Sequence, residues 1–340
     1  MEHQLSVDAQ KHLDRFCCQY LQFYLYLDYP DDQYLRNEAF QETIYNTLFK
    51  EGSLPHPPPL IYQVRVLKEL LRRIEASIQN WDEEGLSDNL YNAFSVLITS
   101  SIPSEVTAVQ QKSYVTYSLS SLSSQSPATI TLHEARNLLS GSGTTGSRTW
   151  EAALHFGNYL INNPSLVNGK SILELGAGTG YLSILCAKHL NAAKVLATDG
   201  SEEVVETLQT NIYLNDLQEK SLIQGKELKW GHAPLGGEEQ AWNGGQKIDV
   251  VLGADLTYEA SGIPALLATL GDLMDMYSGI KIIIAPTVRN QETFEVFLKT
   301  CKAYKYLAEE IEFPLVAAQL QEGPFYDDNI PIKLFSISKN

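Results

Sequence analysis

The sequence predicts an α/β protein, with a doubly wound and largely parallel sheet over residues 148–340 and a smaller helical domain over 1–100. From residue 171 onward, short apolar runs such as SILEL, KVLAT and KIIIAP alternate with helical stretches. This alternation is typical of strands that are buried on both faces of a parallel sheet. Two further strand-like runs close the chain, YLAEEIEFPL and PIKLFSIS, with only a loop between them. They predict an antiparallel hairpin at one end of the sheet.

The first hundred residues predict four helices, because apolar side chains recur there every three or four positions. The second helix, over 34–50, ends before the helix-breaking run PHPPP at 55–59. The third spans 60–78 and the fourth 86–99. The side chains expected on the buried faces of the first and third helices are Leu13, Phe16, Cys17, Tyr20, Leu21 and Tyr24, and then Leu60, Val64, Leu67, Leu71 and Ile74.

Residues 101–147 change in character. They contain the β-branched and aromatic run SYVTYSL, a serine-rich turn, and the run TITLHEA. We expect this region to be a linker that carries a pair of strands.

Composition and charge exclude several classes of protein. With 340 residues, of which 44% are hydrophobic and 19% charged, the chain can bury a sizeable core. Its formal charge of −16 disfavours direct binding to nucleic acid, which needs clustered Lys and Arg. The four cysteines show no metal-binding spacing, so we predict no metal site. No apolar segment approaches the ~18 residues of a membrane span, and the N-terminus is polar, so we expect a cytoplasmic protein.

The segment SILELGAGTG at 171–180 ends a predicted strand with an acid and three alternating glycines, namely Glu174, Gly176, Gly178 and Gly180. A dinucleotide fingerprint has the pattern G-x-G-x-x-G. If it began at Gly176, its last glycine would fall at position 181, which is occupied by Tyr181. A phosphate loop requires Gly-Lys-Ser/Thr, which is absent. The segment therefore predicts a ligand without a pyrophosphate.

A carboxylate at this position favours S-adenosylmethionine, which carries an ammonium and a sulfonium. Asp199 ends the next predicted strand, 199 − 180 = 19 residues past the last glycine, where it is placed to accept hydrogen bonds from ribose hydroxyls. In the alternative interpretation, the glycines only make a tight turn and Asp199 caps the helix that begins at 201. Together, Glu174, Asp199 and the strand register favour the cofactor.

Two tryptophans lie at the predicted edges of this crevice. Trp230 ends a strand-like run, where an indole can lie against adenine, and Trp150 opens the helix over 150–163. Position alone leaves open whether they contact the cofactor or belong to the core.

The segment IDVVLGADLTYE places small Ala254 at a strand end, followed by Asp255 and Tyr258. A carboxylate with an aromatic hydroxyl suits a cationic or strongly donating methyl acceptor such as a lysine side chain. We expect Asp255 to hold the amine in line, because positioning is the larger share of such catalysis. The alternative is that Asp255 caps a turn and Tyr258 packs under the helix over 262–276.

Together, these segments resemble a known family. The pattern W-x-A-A-L at 150–154, E-L-G-A-G-T-G at 174–180, N-I-Y-L-N at 211–215, K-W-G at 229–231 and A-D-L-T-Y at 254–258 is similar to the seven-strand protein-lysine methyltransferases with a D-x-x-Y motif. This resemblance implies a seven-stranded Rossmann-like methyltransferase domain over 148–340 that uses S-adenosylmethionine. The cofactor contacts that it implies are Trp150, Gly176, Ala177, Gly178, Asp199, Trp230 and Ala254.

The helical region followed by SYVTYSL resembles the branch of this family that methylates a lysine of eukaryotic elongation factor 2. It implies a protein substrate that is recognised by the domain over 1–100. Two alternatives remain: a methyltransferase for another protein, a small molecule or a nucleic acid, and a non-catalytic binding module that kept the fold.

Overall fold

The structure is a computed structural model that describes residues 5–100, 112–122, 128–135, 146–218, 221–231, 243 and 245–340. Much of the predicted linker lies outside these residues. The chain divides into two compact units. The first comprises 1–120 with 322–325, and the second comprises 121–321 with 326–340.

The first unit is mainly helical. Its elements are α1 (Val7–Leu21), α2 (Asp32–Leu35), α3 (Glu38–Ile44), which continues into a π-helical turn (Tyr45–Phe49), α4 (Leu60–Ser77), α5 (Asp88–Thr99) and the strand β1 (Ser113–Ser118). The helix predicted over 34–50 is therefore divided in two. The break lies at Asn37, whose side chain accepts a hydrogen bond from the Phe40 amide at 3.0 Å and starts α3 as its N-cap.

Of the stripe predicted for α1, Leu13, Phe16, Cys17 and Tyr20 lie in the core. Leu21, the last residue of the helix, and Tyr24, which lies beyond it, are only half-buried. The stripe predicted for α4 is partly wrong. Leu60 and Val64 are only half-buried, whereas Val66 and Leu70 are buried. The reason is aromatic packing: Tyr62 turns inward, with its ring 5.5 Å from that of Tyr20 and 4.4 Å from that of Phe23. Since i, i+4 and i+8 lie on one helix face, Tyr62 brings Val66 and Leu70 inward with it.

The second unit is the α/β domain. Its helices are α6 (Glu151–Asn162), α7 (Tyr181–Lys188), α8 (Glu202–Leu214), α9 (Ile263–Met276) and α10 (Gln291–Ala303). Its strands are β2 (Thr129–Glu134), β3 (Ser171–Leu175), β4 (Lys194–Asp199), β5 (Ile223–Glu227), β6 (Val250–Ala254), β7 (Lys281–Ala285), β8 (Tyr306–Ile311) and β9 (Leu334–Lys339).

Strands β3 to β9 form one seven-stranded sheet in the order β5-β4-β3-β6-β7-β9-β8. The first five strands in this order, β5, β4, β3, β6 and β7, are parallel, while β9 runs antiparallel to both β7 and β8. This confirms the predicted Rossmann-like methyltransferase sheet with its C-terminal antiparallel hairpin. The chain leaves central β3 for β4 on one side and later returns to β6 on the other. Ligands bind at such a switch point, beyond the carboxyl ends of the strands.

Two features are absent from the described residues, namely a membrane-spanning helix and a metal-binding cluster. None of the helices among them is both long and apolar enough to cross a membrane. They contain no cluster of His, Cys, Asp and Glu side chains that could hold a metal ion. All four cysteines are free thiols, and Cys17, Cys186 and Cys301 are buried.

Candidate active site

A cavity of about 880 Å³ lies beyond the carboxyl ends of β3, β4 and β6 in the second unit. Its volume is in the range of small-molecule and cofactor sites. It is lined by every site residue that the sequence predicts except Gly180. These residues are Trp150, Glu174, Gly176, Ala177, Gly178, Asp199, Trp230, Ala254, Asp255 and Tyr258.

The loop after β3 requires glycine for two separate reasons. Gly176, Gly178 and Gly180 all have positive φ, of 59°, 53° and 86°, where a side chain is strained. A Cβ at Gly180 would also lie 2.2 Å from Leu208 Cδ1, and one at Gly176 would lie 2.5 Å from Leu256 Cδ2. The glycines thus let the loop pack closely on side chains of its own domain. Gly180 is the N-cap residue of α7 and lies outside the cavity lining.

Glu174, on β3, is 3% exposed. Its Oε2 accepts a hydrogen bond from the Ser183 amide at 2.9 Å and another from the Ser183 hydroxyl, in the first turn of α7. Burial raises the pKa of this carboxyl to about 8, although the Ser183 hydrogen bonds act in the opposite direction. A cationic ligand in the cavity would stabilise the ionised form.

Asp199 is the last residue of β4, and its side chain is hydrogen-bonded to the glycine loop. Its Oδ2 accepts from the Gly178 amide at 3.1 Å, and its Oδ1 accepts from the Ser201 amide at 3.1 Å. Burial raises the pKa of this carboxyl, and the backbone hydrogen bonds lower it. Asp199 therefore makes the turn contacts of the alternative interpretation, and it also lines the cavity.

A second layer of polar side chains supports the loop from behind. Asn211, in the N-I-Y-L-N segment on α8, donates to the Thr179 carbonyl at 2.8 Å and accepts from the His133 amide of β2 at 2.7 Å. Thr149 Oγ1 lies 2.7 Å from Thr179 Oγ1 and 2.6 Å from an oxygen of buried Glu134. Strand β2 and Thr149 are thereby tied to the glycine loop.

The two tryptophans line different parts of the cavity. Trp230 follows β5, and its indole lies beside the backbone of the glycine loop, since a Cβ built on Gly176 would be 3.5 Å from its Cζ2. Trp150 caps the start of α6. The guanidinium groups of Arg148 and Arg289 lie 4.8 and 5.0 Å from the centroid of its ring, within the range of cation–π contacts.

Asp255 directly follows β6, is 8% exposed and has a φ of 57°. Aspartate tolerates this left-handed conformation better than most residues. Its two carboxylate oxygens each lie 2.8 Å from Nη1 of Arg289, on the loop after β7. Burial raises the pKa of Asp255, and the charge of Arg289 lowers it.

This ion pair continues into a short network. Arg289 Nη2 lies 3.6 Å from one oxygen of Glu151, and Arg148 Nη2 lies 2.6 Å from the other. Two acids and two arginines thus alternate in one series of ion pairs next to Trp150, and of these Arg148, Asp255 and Arg289 line the cavity. Tyr258, by contrast, is 54% exposed, so it does not pack under α9.

The side chains that line the cavity fit S-adenosylmethionine. The carboxylates of Glu174 and Asp199 match a ligand that carries positive charge and ribose hydroxyls, and the indole of Trp230 offers a flat apolar face. Neither a lysine-bearing phosphate loop nor a dinucleotide fingerprint is present in the loop after β3.

Sequence reasoning missed Arg148, Glu151 and Arg289. A usable signal existed for all three. Arg148 and Glu151 flank Trp150 in R-T-W-E, and Arg289 follows the strand run KIIIAP, so its loop lies at the same edge of the sheet as Asp255.

Comparison with known proteins identifies the family. A family model described as lysine methyltransferase matches residues 128–303. A protein-lysine N-methyltransferase named EFM3 from Chaetomium thermophilum is 53% identical over 96% of this chain and 97% of its own length. EFM3 from Saccharomyces cerevisiae is 30% identical over 65% of this chain and 64% of its own length. The human protein-lysine N-methyltransferase EEF2KMT is 28% identical over 77% of this chain and 76% of its own length.

The first of these relatives matches both structural units, and the family model spans the glycine loop and the Asp255 segment. The chain therefore belongs to the lysine methyltransferase family and is a protein-lysine N-methyltransferase with S-adenosylmethionine as its methyl donor.

Proposed function

We propose that this enzyme methylates a lysine of eukaryotic elongation factor 2 in the cytoplasm. The observation that carries the proposal is the extent of the match to the fungal EFM3, which covers 96% of this chain and so includes the helical unit as well as the catalytic fold. The human relative EEF2KMT, similar over 77% of the chain, supports the same substrate, as does the sequence resemblance to the elongation factor 2 branch.

Within the cavity, each group has a role in the proposal. Bound S-adenosylmethionine supplies an electrophilic methyl group. Glu174 and Asp199 hold the cofactor by charge and hydrogen bonds, and Trp230 covers its adenine. Ala254 is small and leaves space at the end of β6. Asp255 accepts a hydrogen bond from the lysine nitrogen and aligns it for attack, and Tyr258 borders the entrance to the acceptor side.

Labelling tests the substrate directly. The protein would be incubated with S-adenosylmethionine carrying a radioactive methyl group, together with purified elongation factor 2, and the modified residue located by mass spectrometry. We expect label on one lysine. Label on another protein of a cytosolic extract, on RNA or on small molecules would replace the substrate and leave the methyltransferase assignment intact. A complete absence of transfer would favour a non-catalytic module.

The helical domain over 1–100 is proposed to recognise the substrate, because a narrow lysine channel cannot select one folded protein among many. A chain lacking these residues should lose methylation of elongation factor 2 but still bind the cofactor product, S-adenosylhomocysteine, by calorimetry. Loss of both would indicate a misfolded fragment. In that case, full-length variants at exposed Tyr91 and Ile98 of α5, each changed to Ser, provide the test.

A further inference from the structure

The carboxylate expected to hold the acceptor is already paired. Arg289 Nη1 lies 2.8 Å from both oxygens of Asp255, and the Asp255 side chain is 8% exposed. At such distances and burial, the guanidinium cancels most of the carboxylate charge. A lysine that reaches Asp255 therefore meets an ion pair and not an isolated anion.

The chemistry favours such an arrangement. A lysine nitrogen would form the new N–C bond with its lone pair as the bond between the methyl carbon and the sulfonium sulfur breaks, with S-adenosylhomocysteine leaving as a neutral thioether. That lone pair is free only after the ammonium has lost its proton to water. A free lysine has a pKa near 10.4, so only about one in a thousand is neutral at pH 7.4. An unpaired carboxylate beside the nitrogen would stabilise the ammonium further and raise that pKa. Holding the amine and deprotonating it thus place opposite demands on Asp255.

We propose that Arg289 is a positioning residue for the methyl acceptor. By pairing with Asp255 it fixes the carboxylate at the cavity wall and cancels its charge, so that the site takes up the lysine side chain as a neutral amine. The carboxylate oxygens keep lone pairs that accept an N–H of this amine. The inference rests on the proposed lysine acceptor and adds to it a residue that controls the protonation state of that acceptor.

Arg289 is itself held on two further sides. Its Nη2 faces Glu151 at 3.6 Å, and its guanidinium carbon lies 5.0 Å from the centre of the Trp150 ring. Its side chain is 33% exposed. An arginine with three fixed contacts is pre-organised, unlike a solvent-exposed ion pair, which contributes little.

Other charged groups lie in or beside the same cavity and act on the acceptor as well. Glu151 and Arg148 lie on the α6 side as a pair of their own, 2.6 Å apart. Tyr258 and Glu259 lie on the segment after β6, Lys229 follows β5, and Glu174 and Asp199 lie on the cofactor side. Arg289 is the cation of this set that bonds to Asp255 among the described residues.

The test compares three full-length variants with the wild type. In Arg289→Gln the Asp255 charge is unmasked, in Arg289→Lys a cation is kept, and Arg148→Gln removes the second arginine over the same indole. The substrate is whichever protein the wild type labels. In Arg289→Gln we expect the rise of kcat with pH, which reports the pKa of the bound lysine, to move upward by about one unit or more, as for loss of a nearby charge. At pH 7 its kcat should fall about tenfold, with KM unchanged or lower, because the ammonium binds but does not react.

Arg289→Lys should return the pH profile most of the way to that of the wild type, and Arg148→Gln should shift it less than Arg289→Gln does, because Arg148 contacts Glu151 and not Asp255. An unshifted profile in Arg289→Gln, or a uniform loss at every pH, would overturn the inference and assign Arg289 a structural role. The same conclusion would follow if Arg148→Gln shifted equally. If the wild type labels no protein at all, the proposed function fails first, which is a distinct outcome.

A measurement without substrate checks the pairing itself. Without Arg289, and with no lysine ammonium beside it, buried Asp255 should retain its proton to higher pH in the folded protein. The unfolding free energy of Arg289→Gln should then fall more steeply than that of the wild type as pH rises through the pKa of folded Asp255. The double variant Arg289→Gln with Asp255→Asn should lose this extra slope. An extra slope that persists in the double variant would overturn the assignment.

Discussion

A single nitrogen of Arg289, Nη1, lies 2.8 Å from each carboxylate oxygen of Asp255. The pair joins the loop after β7 to the residue after β6, two neighbouring parallel strands. The end of the cavity at Asp255 therefore presents an ion pair, whereas the other end presents the carboxyls of Glu174 and Asp199. The two ends of one cavity are thus suited to a neutral amine and to a cationic cofactor.

Replacing Asp255 with Asn should reduce methyl transfer by about 100-fold, since a misaligned reacting group costs that much. Affinity for the cofactor should stay within a few-fold. Asn is preferred to Ala because it also tolerates the left-handed φ of 57° at this position. Single-turnover rates and calorimetry with S-adenosylhomocysteine provide the two measurements. Undiminished turnover would remove Asp255 from the mechanism.

Trp230→Ala should weaken cofactor binding about tenfold or more, because stacking of an aromatic side chain on a base contributes ~1–3 kcal/mol. The matched control is Trp81→Ala, at a 65% exposed tryptophan of the helical unit. Calorimetry of both variants compares the loss of indole in the cavity with its loss at the surface. Equal affinities in the two variants would show that Trp230 serves only the core.

Glu174→Gln should flatten the dependence of stability on pH in the cofactor-free protein. Burial raises the folded-state pKa of Glu174 from 4.5 to about 8, so its contribution to stability is complete below pH 4.5 and is lost as pH rises through about 8. The loss amounts to about 1.4 kcal/mol per pH unit at most. Urea unfolding at pH 5 and pH 8.5 measures it. A wild type and a variant with parallel pH dependence would contradict the prediction.

Gly180→Ala should destabilise the protein more than Gly169→Ala. Both positions have positive φ, of 86° and 70°, which costs an alanine about 1 kcal/mol. Only the Cβ at Gly180 would also meet a neighbour, Leu208 Cδ1, at 2.2 Å, whereas Gly169 faces open space. The overpacking should add about 1–3 kcal/mol. Urea midpoints of the two variants measure the difference in stability. Equal midpoints would show that Leu208, on α8, moves aside without cost.

Local patterns were sufficient to predict the sheet. Apolar runs such as SILEL and KIIIAP specify strands buried on both faces, because each residue must avoid water whichever way it points. In α4, by contrast, the three- and four-residue spacing of apolar side chains predicted the buried face only in part. There the predicted face included Leu60 and Val64, and the ring of Tyr62 turned a different face inward.

The cofactor side of the site was equally accessible from the sequence. Glycines with positive φ and acids at strand ends are requirements of the backbone and of the strand register, and both leave a short signature at fixed spacing. The ion pair between Asp255 and Arg289 left no such signature. The two residues are 34 positions apart, and only the pairing of β6 with β7 brings their loops together.

The sequence by itself determined the fold class and predicted the glycine loop and the pair Asp255 and Tyr258 as site residues, because these follow from local periodicity and from motifs within one segment. Only the tertiary structure decided that Asp255 pairs with Arg289, that Glu174 is buried against Ser183, and that Trp150 lies within cation–π distance of two arginines. Charge balance and desolvation depend on side chains brought together from distant segments, and those distances exist only in the folded chain.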